Sequence, residues 1–235
     1  LEGVVASLEQ ALSGVPMRIP VGLFAMQKHR ANVAGFREWT VGFQAQFREG
    51  SLPLPVDLAS LQSEIADSLA ATPLSQEWVL ALTEATAGLD GVARRVTWRY
   101  GDTHHSNILL QHGHVSGVVD WEGVQFDQLG VSDWLQFVFQ YLVDYYRRTK
   151  PDTPPVELGK LAVDGLMLPP CSPLTRLVCE ETRQVLTASG YHPSYFQALL
   201  AAFLIRLYWP WEKDQLLQHV AQRLVPRNAV TMPEG

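Results

Sequence analysis

The sequence lacks several features that would each have assigned it to a class. It has only two cysteines, Cys171 and Cys179, eight positions apart. No Cys-x-x-Cys spacing occurs, so neither a cysteine zinc site nor a redox pair is indicated. No apolar run approaches the ~18 residues of a membrane-spanning helix, and no basic-then-apolar opening resembles a signal peptide. A reducing cytoplasm is the expected compartment. There is no excess of basic residues: the net charge is -6. That argues against a nucleic-acid partner, which selects for a basic face, and it permits a cationic small molecule without requiring one. Internal repeats and low-complexity blocks are also missing.

What remains is an ordinary globular composition, with 47% hydrophobic and 18% charged residues over 235 positions. Such a chain can bury most of its apolar surface in one large domain or two small ones. Helical spacing dominates. Val4, Val5, Leu8, Ala11 and Leu12 predict a first helix that Gly14 and Pro16 stop. Further helices are predicted over 31–49, from an Asp57 N-cap to about 71, and from Pro73 and Ser75 to about 87, where Gly88 ends the run.

The pattern changes near residue 94. Val96, Trp98 and Tyr100 alternate as in a half-buried strand. Ile108–Leu110 and Val115–Val119 flank a His112-Gly113-His114 turn, which predicts a β-hairpin. Helical spacing returns after Asp133 with the stripe Trp134, Phe137, Val138, Tyr141, Leu142 and Tyr145. Later helices are expected over about 156–166, 173–188, 194–209 and 212–224. The fold class is therefore α+β, mainly helical, with one small hairpin.

Polar residues gather at that hairpin. Asp102 precedes its first strand, Asn107 opens it, and Asp120 ends the returning strand. Antiparallel pairing brings such ends together. Two carboxylates and an amide oxygen suit phosphoryl transfer, in which one carboxylate takes the proton of an attacking hydroxyl and hard oxygens hold magnesium.

The run Tyr100-Gly101-Asp102-Thr103-His104-His105-Ser106-Asn107-Ile108-Leu109, followed by Val118-Val119-Asp120-Trp121-Glu122, resembles the motifs of the aminoglycoside phosphotransferases. That group includes choline, fructosamine and homoserine kinase-like enzymes. Its usual form is His-Gly-Asp-Leu-His-Pro-Gly-Asn-Ile-Leu, then Ile-Asp-Trp-Glu. The resemblance implies a kinase-like C-terminal lobe, single over 1–235, whose hairpin at about 95–122 carries the active site and whose helices at about 131–225 form the substrate region. It implies Asp102 as catalytic base, Asn107 and Asp120 as Mg2+ ligands, His104 as loop support, and ATP or GTP as donor to a small hydroxylated acceptor. Asp133 matches a further aspartate after the metal motif, and we read it as a brace for the catalytic loop. Tyr100 departs from the leading His, and His105 and Ser106 depart from Pro-Gly.

A complete enzyme of this type also carries a glycine-containing loop and a strand lysine over the phosphates. Lys28, Lys150, Lys160 and Lys213 are the only lysines, and none has a Val-Ala-Ile-Lys-like context. The expectation is an N-terminal nucleotide lobe upstream of residue 1.

Five residues are candidates for the acceptor pocket: Glu122, Glu180, Glu181, Trp211 and Glu212. Aromatic faces and carboxylates would suit a cation. The competing reading makes Tyr208–Glu212 a packed helix junction broken by Pro210, Glu180, Glu181 and Asp214 a solvated helix face, and Glu122 a cap for the next segment. Two other functions stay open. One is a non-catalytic binding module of degenerate kinase fold. The other is a metal-dependent hydrolase using His104, His105, His112 and His114 with Asp102 and Asp120.

Overall fold

The computed structural model describes residues 14–22, 24–48, 61–89, 97–120, 124–127, 129–207 and 212–224. The predicted helix before Gly14 and the Asp57 cap lie outside these residues, as do Glu122, Tyr208, Trp209, Pro210 and Trp211.

The described elements run β1 (Val15–Pro16), α1 (Ala25–Arg48), α2 (Leu61–Ala70), α3 (Gln76–Ala87), β2 (Thr97–Arg99), β3 (Ile108–Gln111), β4 (His114–Val118), β5 (Gln125–Asp127), α4 (Ser132–Thr149), α5 (Pro155–Met167), α6 (Pro173–Ala188), α7 (Phe196–Arg206) and α8 (Lys213–Leu224). The fold is mostly helical with small antiparallel sheets. None of the described helices is long and apolar enough to cross a membrane.

Local chemistry sets several boundaries. Ser75 and Gly88 flank α3, as the sequence predicts. Ser172 opens α6 with a reciprocal capping box to Thr175, and Pro173 occupies the first turn, where its missing N–H is not needed. The hairpin turn places His112 at φ 53 and Gly113 at φ 83. Two successive left-handed residues match the natural twist of paired strands, which makes a two-residue connection favourable.

The strands form two sheets where the sequence predicted one hairpin. β3 and β4 pair as expected, with Ile108 opposite Val118 and an irregularity between Leu109 and Leu110. On its other side β3 accepts β1, with Val15 opposite Leu110. The Trp98 strand does not join this sheet. It pairs instead with β5, Trp98 opposite Phe126. Arg206 of α7 fixes β5 from below, reaching Asp127 at 2.9 Å and Glu64 of α2 at 2.8 Å.

α4 is the axis of the core. Trp134, Leu135, Phe137, Val138, Phe139, Tyr141, Leu142 and Val143 are all at most 1% exposed. A helix apolar on nearly every side must be enclosed, and α1, α5, α6 and α7 enclose this one. Each such side chain contributes about 1.5–3 kcal/mol of burial. The indole of Trp134 donates to Thr182 Oγ1 at 3.0 Å, so its one polar atom is satisfied. The N-terminal turn of this rigid helix faces the loop that carries Asp102.

Candidate active site

The loop from Tyr100 to Asn107 links the two sheets and closes in a single 3-10 turn over His105–Asn107. Asn107 directly precedes β3. Its side-chain amide donates to Asp102 Oδ2 at 2.8 Å. Its Oδ1 lies 3.4 Å from the Ser106 hydroxyl. The amide nitrogen thus orients the Asp102 carboxylate.

The returning strand brings Asp120 to the same place. Val119 N donates to the Asn107 carbonyl at 2.9 Å, one step beyond the Ile108–Val118 pair. Asp120 follows, exposed, at φ 69. A non-glycine residue in the left-handed region is uncommon, and such positions cluster at functional sites. The Tyr100 ring lies fully buried beneath, and its hydroxyl donates to the Val119 carbonyl. Burial pushes the Tyr100 phenol above its ordinary range, and the charges of Asp102 and Asp120 push it further. The Tyr100 phenol therefore feels the charges of both Asp102 and Asp120.

Asp133 sits in the first turn of α4, 4% exposed. Its carboxylate accepts from Tyr100 N at 2.8 Å and Gly101 N at 3.0 Å, and its carbonyl accepts from Thr103 Oγ1 at 3.0 Å. Burial pushes the carboxyl up to about 6, against the opposing pull of the two N–H donors. Three consecutive bonds thus tie the loop ahead of Asn107 to the core helix.

A second tie was not foreseen. His104 Nε2 meets Asp144 Oδ2 at 2.9 Å, and His105 Nδ1 lies 3.0 Å from the same oxygen. Arg147 holds Asp144 Oδ1. Burial opposes ionisation of Asp144, but the His104 bond and the charges of the two neighbouring histidines outweigh it and hold the carboxyl well below the ordinary range. Asp144 lies eleven residues after Asp133. At ~100° per residue the two share a helix face, about 16 Å apart along the axis. That spacing was the available signal.

The other candidates are dispersed. Glu180 is exposed on α6, and Glu181 pairs with Arg37 of α1 at 3.2 Å. Glu212 is exposed at φ 37, just before α8. His112 and His114 are exposed at the far end of the hairpin, with His104 and His105 turned to Asp144. Lys28, Lys150, Lys160 and Lys213 lie on helices or at their ends.

Residues 22–130 match the family model of the phosphotransferase enzyme family, a span that includes Asp102, Asn107 and Asp120. The matched span is just under half of the chain, and over it the chain is similar to that family. No curated protein matches it.

Proposed function

From this phosphotransferase family relationship, we propose that the chain moves the γ-phosphoryl group of ATP or GTP to a hydroxyl of a small molecule, with Mg2+. The observation that carries the reading is the Asn107 amide, which donates to Asp102 at 2.8 Å while its backbone carbonyl is bonded to the residue before Asp120. One residue, through its side chain and its backbone, thereby links the two halves of the chemistry.

In this reading Asp102 orients the acceptor hydroxyl and takes its proton as the new P–O bond forms. Asn107 Oδ1 and the Asp120 carboxylate would hold the metal. Their donor atoms are hard oxygens, the set Mg2+ requires. Bound there, the cation would neutralise charge on the phosphates. Asp133 and Tyr100 fix the loop so that this geometry does not have to be organised during the reaction. A lysine on a strand for the phosphates would have to come from outside the described residues. The acceptor is a small hydroxylated compound, and Glu180, Glu181 and Glu212 are the described carboxylates that would favour a cationic one; the compartment in this reading is the cytoplasm.

The test is magnesium-dependent nucleotide turnover over a panel of amino- and hydroxy-bearing compounds, with Asp102→Asn in parallel. Loss of a general base should lower turnover by about 10²–10⁴-fold and leave Mg-nucleotide binding intact. Equal turnover in the variant would exclude Asp102 as the base.

A further inference from the structure

We propose that His104, His105 and Asp144 form a site for a borderline divalent metal ion of the zinc type, separate from Asn107 and Asp120, which fastens the loop to α4. The proposal does not rest on the phosphoryl-transfer reading. Among the described residues these three bring one ligand atom each to within 4.8 Å of one another.

The donor set is two imidazole nitrogens and one carboxylate oxygen. That combination suits zinc, copper or nickel and is poor for Mg2+, which prefers oxygen. Both histidines address Asp144 Oδ2, at 2.9 and 3.0 Å, while Arg147 occupies the other oxygen. Ligands about 2.0–2.2 Å from a tetrahedral ion sit roughly 3.4 Å apart. The two contacts to Asp144 Oδ2 would open by roughly half an ångström to accept one, and the two nitrogens, within 4.8 Å of each other, would take the same separation.

The surroundings are also those of a ligand site. His104 Nδ1 lies 2.7 Å from Ser106 Oγ. The same nitrogen accepts the Ser106 N–H at 3.4 Å, which fixes the ring with Nε2 toward Asp144; an ion bound there would displace the Nε2 proton. His105 supplies a second, independent feature. Its Nδ1 is buried and makes no hydrogen bond, although Asp144 Oδ2 is 3.0 Å away. A buried nitrogen without a bond is costly, and an ion between the three groups would satisfy it. The two histidines are in contact, ring centres 4.2 Å apart, and are adjacent in sequence, so little conformational freedom is lost on binding.

The experiment titrates the full chain, stripped of metal with a chelator, with Co2+, following its visible absorption, and then displaces Co2+ with Zn2+. His104→Gln and His105→Gln are run singly and together, with Asp120→Asn and the exposed pair His112→Gln/His114→Gln as comparisons. Stoichiometric binding is expected. Each single variant should weaken it by at least about tenfold and the double variant by at least about 100-fold, the range that even outer partners of a metal site reach. Both comparison variants should bind as the unaltered chain does. Circular dichroism melts identify any variant that fails to fold, and Asp144→Asn then replaces it. Absence of stoichiometric binding by the unaltered chain overturns the proposal whatever the variants do. Undiminished binding by the double variant, or an equal loss in either comparison, overturns it too.

Discussion

The hydroxyl of Tyr100 donates to the carbonyl of Val119, and the Val119 N–H donates to the carbonyl of Asn107. Both sides of the residue before Asp120 are therefore held, which explains how Asp120 sustains its φ of 69. The Tyr100 ring is long enough to reach this carbonyl from its buried position. Tyr100→Phe keeps the buried ring and removes one hydrogen bond, worth about 1 kcal/mol. The expected outcome is a small loss in melting temperature with a several-fold rise in the Mg2+ concentration needed for half-maximal turnover. An unchanged Mg2+ requirement would separate Tyr100 from the positioning of Asp120.

Asp133 bears more. Asp133→Ala removes an acceptor from two backbone N–H groups at once, at about 1.5–3 kcal/mol for each charged bond. A chain of this size loses about 2–4 °C per kcal/mol, so the melting temperature should fall by roughly 6–24 °C. Turnover at a temperature where the variant is folded should fall as well. Loss of stability with full activity would show that the loop keeps its shape without this anchor.

Glu181 gives a contrasting case. Its carboxylate faces Arg37 across the α1–α6 contact, with both side chains largely enclosed. Glu181→Gln should lower the melting temperature by a few degrees and leave the acceptor KM within about twofold, since a partly exposed ion pair contributes about 1 kcal/mol or less. A tenfold rise in KM would assign it to the acceptor site instead.

His29 supplies a pH prediction. It is buried against Tyr141 at 2.9 Å, and burial pushes it from 6.5 down to about 4. Between these values the unfolded chain binds a proton that the folded chain refuses. This contribution is fully present above about pH 6.5 and drains away as the pH falls toward 4. His29→Gln removes the titration, so its melting temperature should decline less steeply over that window. Parallel profiles would exclude His29 as a source of acid sensitivity.

The parts of the fold that were legible share one property: their signal is local. Ser75 and Gly88 bound α3, and the β-hairpin announced itself through His112-Gly113 between two apolar runs. The parts that were not legible depend on distant partners. Val15–Pro16 is too short to show a period, and it is a strand only because Leu109 and Leu110 accept it. β2 reads as a hairpin neighbour by proximity, yet its partner is Gln125–Asp127. At the site, residue identity and order placed Asp102, Asn107 and Asp120, whereas Asp144 was hidden inside an apolar stripe. Its contact with His104 spans 40 residues of sequence, and only its helical phase relative to Asp133 connects the two.

The shortness of β1 has a consequence for how this sheet can grow. β3, which Asn107 directly precedes, is an inner strand, flanked by β4 and by a strand of only two residues. One of those two, Pro16, has no N–H to offer. A foreign strand approaching that border finds almost no ladder to extend, which is how natural sheets resist unwanted addition. The hairpin that holds the candidate metal ligands is thereby shielded, on this side, from strand exchange between crowded copies of the chain.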